Sequence, residues 1–346
     1  MITKRILVVE VNWLGDVLFS TAAIRALKNK YPGSYIGVLL HKRCRDVLAD
    51  NPYINEIIVL DEEGEHRGIF GKLKLIRQLK SGQFDIAYLF HRSFTRTLIC
   101  LLSGIKSRVG YYTAKRRLLL TDSVKVPRRV HRAAYYYYLV TRNIPTDARM
   151  LHSDFIIRDK DVVYIDSLLK QAGFDSGNKL VVIHTAGNWS LKRWPKENFV
   201  ELADELINRF QAKVIFSGAK EERALMEEIL KSMKNKAVNL AGQTTIKQLG
   251  ALFIRANTII SADSGPLHIA VALNRPIVAL FGPTSKEITG PLIRDNVVLL
   301  QKKVDCAIPC YKQNCPDNIC MKKISPIEVI RAIQENKWLT ADKTAK

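Results

Sequence analysis

The sequence predicts an α/β protein made of two Rossmann-like, doubly wound domains facing a cleft. Three observations predict it. Apolar runs of strand length alternate with longer amphipathic segments along the chain, the pattern of parallel strands joined by crossover helices. The pattern restarts near residue 156, and 346 residues exceed what a single core usually holds. Apolar residues at 47% and charged residues at 25% match a globular chain that lives in water.

Each element follows from its pattern. "RILVVE" opens the first domain as a strand, followed by a helix over 16–30, the strand "SYIGVLL" and a short helix over 43–49. "EIIVL", a helix over 71–81 and "FDIAYLF" continue the alternation. After a basic, less regular stretch, "RVHRAAYYYYLVTRN" reads as the closing helix of a domain spanning 1–155. The second domain, 156–324, starts with a helix over 160–172. It then alternates "KLVVIH", the helix "PKENFVELADELINRF", "AKVIFSG", the helix "EERALMEEILKSM", "AVNLAG", the helix "TIKQLGALFIRA" and "NTIISA". A further helix and the strand "PIVALFG" come next. "SPIEVIRAIQENKWL" carries a serine cap and a proline at the first helical position. This last segment, 325–346, is a C-terminal helix and tail offered as packing back on the N-terminal domain.

Charge is the strongest bulk signal. The net charge is +21, and residues 1–160 hold 28 Lys and Arg against 14 Asp and Glu, the remainder 26 against 19. The densest part, 106–132, has nine basic side chains and one acid, Asp122. Such a field attracts nucleic acid, anionic lipid or a phosphorylated substrate, or else only solvates one face. No apolar run reaches bilayer-spanning length, and the start lacks the apolar core of a signal peptide, so a cytoplasmic location is expected. Of six cysteines, Cys44 and Cys100 read as core thiols. Cys306, Cys310, Cys315 and Cys320 cluster with spacings unlike paired C-x-x-C knuckles, leaving either a metal site or ordinary thiols in a loop.

Ligands of doubly wound sheets bind beyond the carboxyl ends of the strands, so the chemistry is sought in the βα turns. In "ADSGPLHIAVALNRPIVALFGPT", Asp263, Ser264 and Gly265 turn the chain and Pro266 suits the first helical position. Gly265 lets a ligand approach the backbone, and the free amides of the helix start suit a pyrophosphate. His268 can donate to a phosphate or sugar oxygen, and Asp263 can accept from sugar hydroxyls. The same residues also read as an ordinary N-cap with an internally satisfied histidine.

"TAGNWSLKRWPKENF" places Thr185 at a strand end, Asn188 in the loop and Lys192 before a helix. A lysine there neutralises charge on a leaving diphosphate, or is a surface charge. After "IFSGAKEE", Glu221 or Glu222 either holds ribose hydroxyls or complements a helix dipole. In the first domain "VNWLGDVLFSTAAIRAL" puts Gly15 and Asp16 at a helix start. There Asp16 is a structural acid or a general base, and a helix N-terminus favours its carboxylate form. Neither a P-loop nor a G-x-G-x-x-G occurs, and the Asp-x-Asp at Asp159 and Asp161 sits at the inter-domain helix start, so no metal ligand set is offered.

Four stretches in order over nearly the whole chain carry a resemblance: "NWLGDVLFSTAAIRALK", "HTAGNWSLKRWP", "LAGQTTIKQLGALFIRANTIISADSGPLHIAVALNRPIVALFGPT" and "CAIPCYKQNCPDNICMKKISPIEV". The sequence resembles the bacterial heptosyltransferases of lipopolysaccharide core synthesis, glycosyltransferase family 9, whose fold is GT-B. The resemblance implies inverting transfer of L-glycero-D-manno-heptose from ADP-heptose to a lipid A–Kdo inner-core acceptor, by single in-line displacement and without metal or other cofactor. By position it implies Asp16 as general base and Thr185, Lys192 and the backbone of Ser264 and Gly265 on the diphosphate. It implies Asp263 on the heptose hydroxyls and His268 on the donor. Asn188 and Glu221 join the donor set, although "SGAKEE" departs from the commoner Gly-Gly-Pro turn. Arg92, Arg96, Lys106 and Arg108, with the basic run 115–117, are then expected to meet the phosphorylated acceptor and the anionic inner face of the cytoplasmic membrane. Two other readings stand beside it. One is a GT-B enzyme using another nucleotide sugar, a transferase or an epimerase. The other is a nucleic-acid-binding protein, prompted by the charge and the tyrosines 135–138.

Overall fold

The computed structural model describes residues 4–175, 177–185, 189–292, 295–310, 312 and 314–340, and the chain divides into two compact units, Met1–Ile156 and Ile157–Lys346. The first runs β1 (Arg5–Val9), α1 (Leu14–Lys30), β2 (Tyr35–His41), α2 (Arg45–Leu48), β3 (Glu56–Leu60), α3 (Gly68–Ser81), β4 (Ile86–Leu89), α4 (Phe94–Leu102), β5 (Ser107–Tyr111), β6 (Asp122–Val124) and α5 (Arg132–Thr141). Its six strands are all parallel, in the order β3-β2-β1-β4-β5-β6. The central strand β1 is an unbroken apolar run because helices cover both sheet faces, and Ile6 to Val9 are fully buried. Leu7, Val9, Leu39 and Leu89 pack with Leu75 and Leu79 of α3 and Ile99 of α4.

Helices α1 and α5 pack along one another. This contact consumes the tyrosine run: Tyr135, Tyr136 and Tyr137 are buried, with the Tyr135 ring stacked 4.2 Å from that of Tyr111. They pack as core and are not presented to bases.

The stretch read as irregular contains α4, β5 and β6. Strand β5 is Ser-Arg-Val-Gly-Tyr, and its arginine breaks the apolar pattern. Arg108 is nevertheless buried, because its guanidinium donates to the carbonyls of Ile105, Lys106 and Leu119.

The second unit runs α6 (Asp159–Gln171), β7 (Leu180–His184), α7 (Lys196–Phe210), β8 (Lys213–Ser217), α8 (Arg223–Ser232), β9 (Val238–Asn239), α9 (Ile246–Arg255), β10 (Thr258–Ala262), α10 (Gly265–Ala272), β11 (Ile277–Phe281), α11 (Lys286–Thr289), β12 (Val297–Gln301), α12 (Ile319–Lys322) and α13 (Pro326–Glu335). Its parallel sheet has the order β12-β11-β10-β7-β8-β9. Counted within each unit, this is the order of the first sheet, third-second-first-fourth-fifth-sixth. Strand order therefore reverses between β1 and β4 and again between β7 and β10, the positions where such sheets bind ligands. The edge strand β12 escaped the sequence reading: all five of its residues are only half-buried. Helix α13 is part of the second unit. Its Val329, Ile330 and Ile333 form one apolar stripe in the core of the second unit, against α7 and β11. A capping box between Ser325 and Glu328 sets its start.

Candidate functional site

In the second unit Thr185, Lys192, Asp263 and His268 stand at the switch point. Ser261 of β10 lies in register with His184 of β7, so the two strand ends are neighbours. Thr185 follows one strand end and Asp263 the other. Lys192 ends a single 3-10 turn, Ser190–Lys192, that leads into α7. Its Nζ donates to Asp263 Oδ2 at 2.8 Å, and His268 Nε2 stands 3.4 Å from Asp263 Oδ1. Burial alone would raise the Asp263 carboxyl. The His268 hydrogen bond and the Lys192 charge outweigh it and hold the group well below the usual carboxylate range. Asp263 is thus a fixed buried anion with a cation on one oxygen.

The turn that follows carries no side-chain cap. Helix α10 begins at Gly265, one residue earlier than predicted, which puts Pro266 at the second helical position. Ser264 occupies the N-cap but forms no side-chain cap, and its Oγ lies 3.2 Å from Ser261 Oγ instead. The serine cap is therefore not formed, whereas the histidine does find an internal partner in Asp263. The positive end of the helix rests on the Gly265 and Leu267 amides, since Pro266 has no N–H. Gly265 is not among the positive-φ glycines, so the turn does not need it for a left-handed backbone. Thr185 is fully buried, and its hydroxyl has no partner among the described residues. Asn188 lies outside the described residues.

After β8, the two glutamates separate by role. Glu222 Oε2 accepts from the Ala219 amide at 2.8 Å, which makes it the capping acid of that turn. Glu221 is exposed.

In the first unit, Asp16 sits in the first turn of α1, half-buried. The Tyr136 hydroxyl donates to Asp16 Oδ1 at 3.0 Å, and Arg132 Nε lies 3.7 Å from the same oxygen. Burial, and then the Asp16 charge, push the Tyr136 phenol well up, so it stays a donor. Sequence reasoning missed both partners, which are 116 and 120 residues away along the chain. It also missed Glu10, the last residue of "RILVVE". Glu10 is fully buried, its Oε1 accepting from Ser20 Oγ at 2.7 Å and its Oε2 from the Val11 amide at 3.2 Å. Burial pushes its carboxyl up to about 8 against these two hydrogen bonds.

The four expected acceptor contacts divide. Arg92 and Lys106 are exposed. Arg96 and Arg108 are buried, and here the expectation is corrected. Arg96 donates to the Glu10 carbonyl, to Asn12 Oδ1 and to Glu62 Oε2, bracing the chain after β1, while Arg108 serves the carbonyls around β5. Arg116, inside the basic run, is also fully buried, donating to the Tyr111 and His91 carbonyls. A cation in a charge-rich segment satisfies backbone acceptors as readily as it meets solvent.

Cys306 is exposed, and Cys310, Cys315 and Cys320 are half-buried free thiols. Among the described residues no three His, Cys, Asp or Glu side chains are grouped to hold a metal ion. The Cys310 amide donates to the Pro283 carbonyl at 2.7 Å, tying this segment to the turn after β11.

Residues 72–319 match the family model described as glycosyltransferase family 9 (heptosyltransferase). The chain belongs to that family. Among its family-9 relatives, lipopolysaccharide heptosyltransferase 2 of Escherichia coli (strain K12) is 31% identical over 316 residues, covering 83% of this chain and 85% of the relative. The solved structure of E. coli ADP-heptose lps heptosyltransferase II superposes with a TM-score of 0.79 at 26% identity, over 96% of this chain and 98% of that one. A family 9 glycosyl transferase from Veillonella parvula DSM 2008 gives 0.84 at 23% identity, over 96% and 97%, which bears on the fold alone. Two six-stranded parallel sheets with covering helices give this family-9 glycosyltransferase the α/β, GT-B architecture. Among its described residues no helix is long and apolar enough to cross a membrane.

Proposed function

We propose that this glycosyltransferase transfers L-glycero-D-manno-heptose from ADP-heptose to the lipid A–Kdo inner core of lipopolysaccharide, with inversion and without a metal. The observation that supports it most is the Lys192–Asp263–His268 cluster at the uncapped start of α10. A nucleotide diphosphate leaving group needs positive charge that is already in place when its bond breaks. The α10 amides and Lys192 supply that charge where another enzyme would use a divalent cation. An ammonium has three donors, so Lys192 can keep Asp263 and still donate to a phosphate oxygen. Asp263 has lone pairs left for heptose hydroxyls, His268 and the Thr185 hydroxyl each offer a polar contact, and Glu221 takes the ribose.

In the proposed reaction the acceptor hydroxyl attacks the anomeric carbon while Asp16 removes its proton. The carbon–oxygen bond to the diphosphate breaks, and ADP departs with the bonding pair. Arg92 and Lys106 contact the phosphorylated acceptor, and the basic first unit associates peripherally with the cytoplasmic membrane. Asp16→Ala is the test. Transfer to a truncated core, read by product mass, should be abolished while ADP-heptose binding by calorimetry persists. Near-normal turnover of the variant would remove Asp16 as the base, and absence of heptosylated product with the parent enzyme would overturn the donor–acceptor assignment.

A further inference from the structure

Six large apolar side chains of the first unit are exposed at one edge of its sheet, among them its two most exposed; others, such as Leu101 and Leu102 at the end of α4, lie elsewhere. The six strands of the sheet are parallel, so their carboxyl ends share an edge. Trp13 follows β1, Ile69 and Phe70 open α3 after β3, Phe94 opens α4 after β4, and Tyr112 and Leu118 follow β5. Phe70 is 83% exposed, Leu118 87% and Trp13 56%. Apolar side chains of this size held in water along one rim mark a surface with a partner.

Cations stand among them. The Arg43 guanidinium lies 4.5 Å from the centroid of the Trp13 ring, and Arg92, Lys115 and Arg117 are exposed on the same edge. The second unit, with the same strand order, has no such rim among its described residues. Its exposed large apolar side chains lie on α6 (Val163 and Tyr164), beyond α11 (Leu292), and on α12 and α13 (Ile319 and Ile327).

We infer that the carboxyl edge of the first sheet is a docking face for an anionic lipid bilayer, with Phe70 and Leu118 entering the boundary between headgroups and acyl chains. The mixture selects this partner. Anionic headgroups take the cations, the acyl boundary takes the aromatic and leucine side chains, and tryptophan suits the interface itself. The inference deepens the proposed function and rests on its lipid-linked acceptor, because the turn carrying Asp16 lies on this same edge.

Flotation of the intact, substrate-free protein with vesicles tests the face by itself. The parent should float with vesicles containing phosphatidylglycerol, less so at high salt, and much less with phosphatidylcholine alone. The double variant Phe70→Ser, Leu118→Ser should bind the anionic vesicles at least about tenfold more weakly, with its circular dichroism unchanged. Acyl chains brominated near the headgroup should quench Trp13, and Trp13→Phe should abolish that part of the quenching. No flotation of the parent, parent-like flotation of the double variant, or equal binding to phosphatidylcholine alone would each overturn the inference. Transfer to a deacylated, water-soluble core separates the two readings, since it requires the transferase chemistry and no membrane. The double variant should retain parental turnover there.

Discussion

Lys192→Met asks how the buried Asp263 carboxylate is held. Methionine keeps the apolar stem and removes the ammonium. The substitution breaks a 2.8 Å ion pair between a lysine 22% exposed and an aspartate 3% exposed. With an effective dielectric constant of about 20, unit charges at that distance attract by roughly 6 kcal/mol. Desolvation of the carboxylate offsets much of this, and His268 remains 3.4 Å away as a second partner. The net cost of the variant is then about 3 kcal/mol. A unit of this size loses roughly 2–4 °C in Tm per kcal/mol, so its transition should fall by about 6–12 °C.

The acid dependence carries the same information. In the parent the Asp263 carboxyl ionises below its unfolded value of about 3.9. Its contribution is complete above that value and is lost as pH falls through the lower folded one. Without Lys192 the folded value rises, and the acid loss begins at higher pH. Calorimetry from about pH 3 to about pH 7 reads both effects. If Lys192 also meets the leaving diphosphate, kcat should fall by about 10²–10³. A Tm within about 1 °C of the parent and an unmoved acid limb would refute the reasoning.

Two further outcomes are expected. Glu10 stays protonated in the folded chain up to about 8 while an unfolded carboxyl ionises near 4.5. Stability should therefore decline between those pH values, by on the order of 4 kcal/mol, and Glu10→Gln should flatten the decline; urea unfolding at stepped pH measures it, and an unchanged slope in the variant would count against a buried neutral acid. Arg116→Ala strands the Tyr111 and His91 carbonyls in the core. It should cost about 3 kcal/mol in denaturant unfolding, and a loss under about 1 kcal/mol would mean that water replaces the guanidinium.

The central strands of both sheets were legible because their apolar runs are continuous. β1, β7, β10 and β11 are nearly all buried residues, as strands covered on both faces should be. β5 and β6 were hidden for the opposite reason. Arg108 and Gly110 interrupt one, the other has three residues, and both owe their place to long-range bonds such as Arg108 to Leu119. At the candidate site, Asp263, Ser264 and Gly265 were readable because a turn announces itself locally. What each does with its hydrogen bonds was not. The same letters fit a capped helix, and only the pairing of Ser264 with Ser261 and of Asp263 with Lys192, 71 residues away, separates the two. The arginines misled most. Arg96, Arg108 and Arg116 add to the charge in composition, yet all three are buried and donate to backbone carbonyls.

Two sheets of one strand order carry unlike edges, and the difference follows from what each would have to bind. A diphosphate donor concentrates its charge in a few oxygens and gains more as the bond breaks. It is served by few groups held rigidly out of water, and Lys192, Asp263, His268 and the α10 amides are of that kind. A lipid-linked core spreads its charge over many groups and stays in a membrane. Burial would then be a handicap, and a broad rim of exposed cations and apolar side chains is the better match. The uneven charge, 28 basic residues against 14 acidic in residues 1–160 and 26 against 19 beyond, follows that division. If the proposed division of labour is right, moderate salt should weaken acceptor or vesicle binding far more than ADP-heptose binding, because exposed charges are screened and buried ones are not. Equal salt slopes for the two would break the link between each edge and its ligand.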